Sequence, residues 1–197
     1  MTEAAAPGRR RLRHPLALSL AVAACIVVAD QLTKHWALQR LSDGEEVHVV
    51  WTLQFNLAYN SGMAFSRGRG LGPVIGIVAV VIVGVLAVGA SRMESFLARF
   101  AAGLLIGGAV GNLLDRLFRE DGWLRGRVID FIDPQWFPIF NVADIGVTVG
   151  AILFLLATLL QARADERVLR AAAIEDAAAV DEVAPIDEAA PVEEAGS

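Results

Sequence analysis

Residues 71–90 form a run of 20 positions with no charged or hydrogen-bonding side chain. A helix rises about 1.5 Å per residue, so roughly 20 apolar residues cross the hydrocarbon core of a bilayer. Residues 142–160 reach the same length, interrupted only by Asp144 and two threonines. Two further stretches are less uniform. Residues 16–29 are predominantly apolar, after which the pattern meets Asp30 and Lys34 and ends near Leu38. Residues 100–114 are predominantly apolar and then meet Asp115 and Arg116. With 55% hydrophobic residues, the 197-residue chain is too apolar for an ordinary soluble domain. The pattern predicts an all-α membrane protein with four transmembrane helices at about 16–38, 71–90, 97–118 and 141–161, together a single domain over 16–161.

The net charge of -5 is misleading. Eight of the 22 acidic residues lie beyond Ile174, in an Ala/Val/Pro/Glu-rich stretch without apolar periodicity. Residues 162–197 are therefore expected to form an acidic, disordered cytoplasmic tail, and residues 1–15 a basic cytoplasmic arm. Arg9, Arg10, Arg11 and Arg13 place the N-terminus inside, and four spans return Arg163, Arg167 and Arg170 to the same side. The single cysteine, Cys25, excludes an internal disulfide. His14, His35 and His48 form neither an HExxH pattern nor a Cys/His pair with zinc-ligand spacing. No metal site, cofactor or nucleic-acid partner is expected.

This topology gathers the intramembrane polar groups at one end. Asp30 and Lys34 close the first span, Asn112, Asp115 and Arg116 close the third, and Asp144 opens the fourth. All fall on the outer side, with Asn60 and Asn141 in the approaches to spans two and four. Charges that merely marked helix ends would be as common at the inner ends. Between spans one and two, Val47, Val49, Trp51, Leu53, Phe55, Leu57 and Tyr59 alternate with polar Glu46, His48, Thr52, Gln54 and Asn56. Period-two alternation predicts an extracytoplasmic β segment with one buried face, turning at Asn60-Ser61-Gly62. Trp123, Trp136 and Phe137 in the next outer loop fit an interfacial aromatic belt rather than a ligand site.

Helical spacing puts Gly108, Asn112 and Arg116 on one face, with Asp115 close to it. Asp30/Lys34 and Asp115/Arg116 are expected to form structural salt bridges. Asp130 and Asp144 differ, because neither has a basic neighbour at helical spacing, although Arg127 lies three before Asp130. Asn141 could cap the fourth helix with Asp144 in its first turn. Two nearby carboxylates in a low-dielectric site cannot both ionise easily, so one acts as acid and the other as base. Such a pair can hydrolyse a peptide bond. A small transporter or proton carrier using the same aspartates is the alternative, although four spans without an evident inverted repeat make it a thin one. Two further readings are weaker. Val22-Ala23-Ala24-Cys25 imitates a lipoprotein cleavage site, but the apolar run continues and three spans follow. Lys34 as base for a nucleophile such as Ser61 is opposed by Asp30, which would keep it protonated.

Five blocks carry a resemblance. They are Asp30-Gln31-Leu32-Thr33-Lys34, Asn60-Ser61-Gly62-Met63-Ala64-Phe65-Ser66, Gly108 to Arg116, Val128-Ile129-Asp130-Phe131, and Phe140-Asn141-Val142-Ala143-Asp144. In this order, over about residues 17–160, they resemble bacterial lipoprotein signal peptidase (signal peptidase II). Met63 departs from the alanine common in that family, and the stretch between Asp130 and Asp144 is short for it. The resemblance implies an intramembrane aspartic endopeptidase of the bacterial plasma (inner) membrane, its active site near the outer face. It implies removal of signal peptides from diacylglyceryl prolipoproteins just before the lipidated cysteine. Asp130 and Asp144 match the catalytic pair. Asn60, Gly62, Gly108, Asn112, Arg116 and Asn141 match positions that bind substrate or support the pair, while Asp30, Lys34 and Asp115 match structural ones. The β segment resembles the family's cradle over the membrane. Membrane lipid and globomycin-type inhibitors are the further partners implied, and a monomer is expected.

Overall fold

The computed structural model describes residues 16–62, 72–119 and 123–183. The N-terminal arm, Met63 to Ser66, the loop arginines Arg67 and Arg69, and the tail beyond Val183 lie outside the described residues. The elements run α1 (Ala17–Leu41), β1 (Val47–Val50), β2 (Leu53–Asn60), α2 (Gly72–Ala90), α3 (Phe96–Phe118), β3 (Val128–Asp133) and α4 (Val142–Val183). All four helices contain a stretch long and apolar enough to cross a membrane. Helices suit that solvent because every interior N–H and C=O is satisfied within the segment.

The chain divides into two compact units, Met1–Ala157 and Thr158–Ser197. In the second unit, helix continues through Val183, past the boundary at 161 expected from composition. The apolar run ends there, but the following Ala-, Arg- and Glu-rich residues are good helix formers, and Arg170 pairs with Glu166 at 2.7 Å. Loss of hydrophobicity thus ends the span without ending the helix.

Within the first unit α3 is central. Half of its span is buried by protein, against 22% in α1 and 11% in α2. Lipid is as apolar as leucine, so helices associate by close packing rather than by the hydrophobic effect. Glycines provide the approach. A Cβ on Gly107 would sit 2.8 Å from the Ala23 carbonyl of α1, and one on Gly108 would overlap the Ala143 carbonyl of α4. The buried residues of α1, Ser19, Ala23, Asp30, Lys34, Ala37 and Leu41, fall three, four or seven apart and form one stripe. That stripe turns from small to charged at Asp30 and Lys34 and becomes apolar again at Ala37 and Leu41.

The alternating run after α1 is β structure as expected and folds as a hairpin, but its apolar positions are only partly buried. Trp51 and Thr52 make the turn, Trp51 has φ 53°, and its side chain is 95% exposed. Val49, Val50 and Tyr59 are exposed as well. Phe55 instead joins Trp36 and Phe131 in an aromatic cluster with centroids 5.3–6.1 Å apart. β3, drawn from the loop before α4, adds a third antiparallel strand beside β2, in the order β1-β2-β3. The pairing slips between Phe55 and Ala58, where Asn56 and Leu57 of β2 lie against the single Phe131 of β3. Such irregularities re-aim side chains. Beyond this one Asn60, rather than Tyr59, reaches Asp130.

Gly108→Ala is expected to destabilise the fold by about 1–3 kcal/mol, because the added methyl meets backbone that cannot move aside. Gly84→Ala, where nothing lies within 4 Å, should be neutral or slightly stabilising. Thermal unfolding in detergent micelles compares the two.

Candidate active site

The start of α4 is tied to β3 before it enters the bundle. The backbone N–H groups of Phe131 and Ile132 both donate to the Phe140 carbonyl, at 3.1 and 2.9 Å, and Phe140 N–H returns a bond to Ile132. Asn141 follows and caps the helix. Its Oδ1 accepts from Asp144 N–H at 3.0 Å, while Asp144 Oδ2 accepts from Asn141 N–H at 3.2 Å. This reciprocal cap fixes Asp144 in the first turn. The same Asn141 side chain donates through Nδ2 to Asp130 Oδ1 at 2.6 Å. One fully buried asparagine therefore joins the two aspartates.

Two further asparagines complete the frame. Asn60 Nδ2 donates to Asp130 Oδ2 at 3.0 Å, and its Oδ1 accepts from Gly62 N–H at 3.0 Å. Gly62 thereby fixes which end of the amide faces the carboxylate. Asn112 on α3 donates through Nδ2 to Asp144 Oδ1 at 2.8 Å. Each carboxylate oxygen of the pair thus accepts a neutral N–H donor. Burial pushes Asp130 up to about 6, and the negative charge of Asp144 adds to the rise. Hydrogen bonds from Asn60 and Asn141 and the charge of Lys34 oppose it.

Both aspartates, Asn60, Gly62, Asn112 and Arg116 line one cleft of about 400 Å³. Its remaining wall is apolar, from Ile75, Val78, Ala79 and Ile82 of α2, Leu105, Ala109 and Leu113 of α3, Val128, and Val147 of α4. Arg116, one helical turn beyond Asn112, donates to the Gly62 carbonyl at 3.3 Å and to the Asn112 carbonyl at 3.4 Å. Its Nε–H is buried without a partner among the described residues. Gly108 lies in the contact between α3 and α4 near Ala143 and Val147.

The other charges form a separate cluster. Lys34 Nζ lies 2.8 Å from both Asp30 Oδ2 and Asp115 Oδ2, all three side chains being fully buried. Asp30 also accepts from Ala143 N–H at 2.9 Å, and Asp115 from Ile129 N–H at 3.2 Å. The Asp30/Lys34 bridge is thus present. Lys34 with Asp115 also bridges the ends of α1 and α3, while Asp115 and Arg116 do not pair with each other. Asp115 pairs with Lys34 and with Arg119 at 2.6 Å, while Arg116 turns to Gly62. Adjacent helical residues point about 100° apart, whereas Arg119 lies at i+4. Gln31 was missed by sequence reasoning. Its amide donates to Asp30, the Gly111 carbonyl and Asp115 at 3.1–3.2 Å. Its place beside Asp30, in the first of the five blocks, was the available signal. Arg127 stacks over Tyr59, 4.9 Å from the ring centroid. Among the described residues no group of three or more His, Cys, Asp or Glu side chains is placed to share a metal ion.

Known proteins are similar to this chain in sequence and in structure. The chain is 42% identical over 159 residues to the lipoprotein signal peptidase of Mycolicibacterium smegmatis, covering 80% of this chain and 66% of that relative. The match thus spans about two thirds of that protein's length. It is 41% identical to the lipoprotein signal peptidase of Mycobacterium leprae over 75% of this chain and 72% of the relative. A bacterial membrane enzyme solved by the in meso method at 2.3 Å resolution superposes with a TM-score of 0.66 at 29% identity, covering 76% of this chain and 92% of that one. A second, solved at 1.9 Å by the same method, gives 0.64 at 29% identity, over 74% and 95%. The family model described as signal peptidase (SPase) II matches residues 22–160, which reach into all four spans and take in the asparagine frame and both aspartates, and the chain belongs to that family.

Proposed function

We propose that this protein is an aspartic endopeptidase that removes signal peptides from diacylglyceryl-modified prolipoproteins, cutting just before the lipidated cysteine. The observation that carries the reading is the pair Asp130 and Asp144 in one cleft, held by neutral amide donors, with an apolar wall opposite. An extended peptide bearing acyl chains suits a cleft with one polar and one apolar side.

In the proposed reaction one aspartate is ionised and the other protonated. The ionised carboxylate takes a proton from water as its oxygen attacks the scissile carbonyl. The protonated carboxyl gives its proton to the carbonyl oxygen. As the resulting diol collapses and the C–N bond breaks, one diol hydroxyl returns its proton to the carboxylate that gave one up, and the other carboxyl gives its proton to the leaving nitrogen. Water is consumed and both aspartates return to their starting state. Asn60, Asn112 and Asn141 orient the carboxylates, and Arg116 offers positive charge beside the substrate backbone. Asp30, Lys34 and Asp115 hold the helix ends together.

The polar groups at the outgoing ends of α1 and α3 support an active site near the outer face of the plasma membrane, with both termini cytoplasmic. The domain reading is kept as residues 16–161 between an N-terminal arm and a cytoplasmic tail. Inhibition by globomycin-type cyclic peptides, contact with membrane lipid and a monomeric state belong to the same reading. A proton carrier using these aspartates is the alternative, and the cleavage assay separates the two.

Purified protein in detergent should cleave a diacylglyceryl-cysteine signal peptide, and a chelator should leave the rate unchanged. Asp130→Asn and Asp144→Asn should each lower kcat by at least about 10⁴-fold, because either change removes one member of the acid/base pair. Full activity in either variant would sink the pair.

Asp130 also makes a stability prediction. A carboxyl whose pKa rises from 3.8 to about 6 on folding binds its proton more tightly in the folded state. Its stabilising contribution is complete below the unfolded value and is lost as pH climbs through about 6. The wild-type melting temperature should therefore gain on that of Asp130→Asn as the pH falls from 7 to 4. Parallel curves for the two proteins would contradict the shift.

A further inference from the structure

Lys34 is a fully buried charge that the proposed reaction does not use. Its ammonium has three N–H groups and no acceptor. All three are engaged, by Asp30 Oδ2 at 2.8 Å, Asp115 Oδ2 at 2.8 Å and Asn112 Oδ1 at 2.9 Å. The third contact matters most. Asn112 Oδ1 also accepts from Asn141 Nδ2 at 3.1 Å, so two donors claim the oxygen end of this amide. Its nitrogen end is left to face Asp144 Oδ1 at 2.8 Å. Turning the amide over would set NH₂ against an ammonium and a second NH₂, and oxygen against a carboxylate. Three hydrogen bonds would become three repulsions.

We propose that Lys34 is a positioning residue for the aspartate pair, acting through Asn112. By holding Asn112 Oδ1 it commits Asn112 Nδ2 to Asp144. It also keeps Asn112 Oδ1 in place as the acceptor that steadies Asn141, whose amide bonds Asp130 at 2.6 Å. Both carboxylates are thus oriented from one buried cation, Asp144 through Asn112 and Asp130 through Asn112 and Asn141 in turn. The inference rests on the aspartic-peptidase reading above. The charges facing Lys34 are Asp30 from its own helix and Asp115 from α3, the latter shared with Arg119. Ala143 of α4 and Ile129 of β3 add backbone donors to the same two carboxylates. The positive charge also acts on Asp130, in the direction that favours ionisation.

The test removes the cation and one of its balancing acids together. Lys34→Gln/Asp30→Asn keeps the cluster's net charge, with Asp30→Asn alone as the reference. A folded double variant should bind a diacylglyceryl peptide with KM within about threefold, yet lose about 100-fold in kcat, as expected when a reacting group drifts by about 1 Å. The limb of the pH–rate profile that titrates Asp130 should move to higher pH. Infrared titration with ¹³C-labelled aspartate should show the same displacement without any turnover. A cluster that only braced the helices would lower the melting temperature and leave kcat, the pH limb and the infrared titration at reference values. That result overturns the proposal. Lys34→Gln/Asp115→Asn provides a second charge-balanced variant, and failure of both to fold would assign Lys34 to folding and also overturn it. If wild-type protein cleaves nothing, or Asp130→Asn cleaves normally, the peptidase reading fails. The infrared comparison of Asp130 with and without Lys34 still decides whether the lysine controls the pair.

Discussion

The end of this bundle beside the β-sheet is organised around one ammonium group with no access to solvent. An isolated charge at that depth would be expelled or neutralised, so it persists only with partners on every side. Lys34 finds them on two helices. Asp30 belongs to α1, and Asp115 and Asn112 to α3. Each acid then reaches one element further. Asp30 accepts from the first turn of α4, and Asp115 from the backbone of β3. A single cation thereby connects four secondary-structure elements. Breaking a buried pair by removing one partner typically costs about 3–5 kcal/mol, which makes the connection stiff.

That connection requires close helices. Lys34 reaches α3 because Gly107 lets α1 approach, and Gly111 leaves room for Asp30, whose Oδ2 would lie 2.7 Å from a Cβ there. Gly108 does the same for α4. The small residues set backbone distances, and the charged cluster can form only at those distances. Neither suffices alone. Without the cluster, packing of glycine faces would leave rotation of the helix ends poorly defined. Without the glycines, the ammonium could not reach acids on both helices.

Much of this was legible in the sequence. Four spans follow from apolar run length, and the gathering of charge at one end follows from reading direction along successive spans. The five ordered blocks singled out Asp130, Asp144 and their asparagines. What escaped were relations between distant residues. Helical spacing reveals Lys34 with Asp30 but is silent on Asp115, which lies on another helix. Alternation announces β structure yet cannot place a two-residue turn at Trp51–Thr52, because both faces of the hairpin read alike. β3 hides in a loop-like stretch, since its partner strand is 70 residues away at the Asn60–Asp130 contact. The helical extension to Val183 escaped for a different reason. Hydropathy marks where lipid ends, whereas helix propensity decides where a helix ends, and the two diverge after residue 161.

The choice of asparagine around the aspartates follows from what a working acid/base pair requires. A lysine or arginine bonded directly to either carboxylate would hold it ionised, and the proton could no longer be shared. An apolar shell would err the other way, leaving a buried carboxylate permanently neutral. Asparagine donors lie between these limits. They stabilise the charged form by hydrogen bonding, without a full opposing charge. Asp130, held near 6 by burial against such donors, occupies that intermediate state. The cation at Lys34 sits one amide away, bonded to Asn112 rather than to Asp144. At that remove its charge favours ionisation without forming an ion pair with either member. In the proposed chemistry the buried cluster and the aspartate pair are therefore a single device, in which Lys34 acts through an amide and Arg116, though in the cleft, turns to the Gly62 and Asn112 carbonyls rather than to either aspartate.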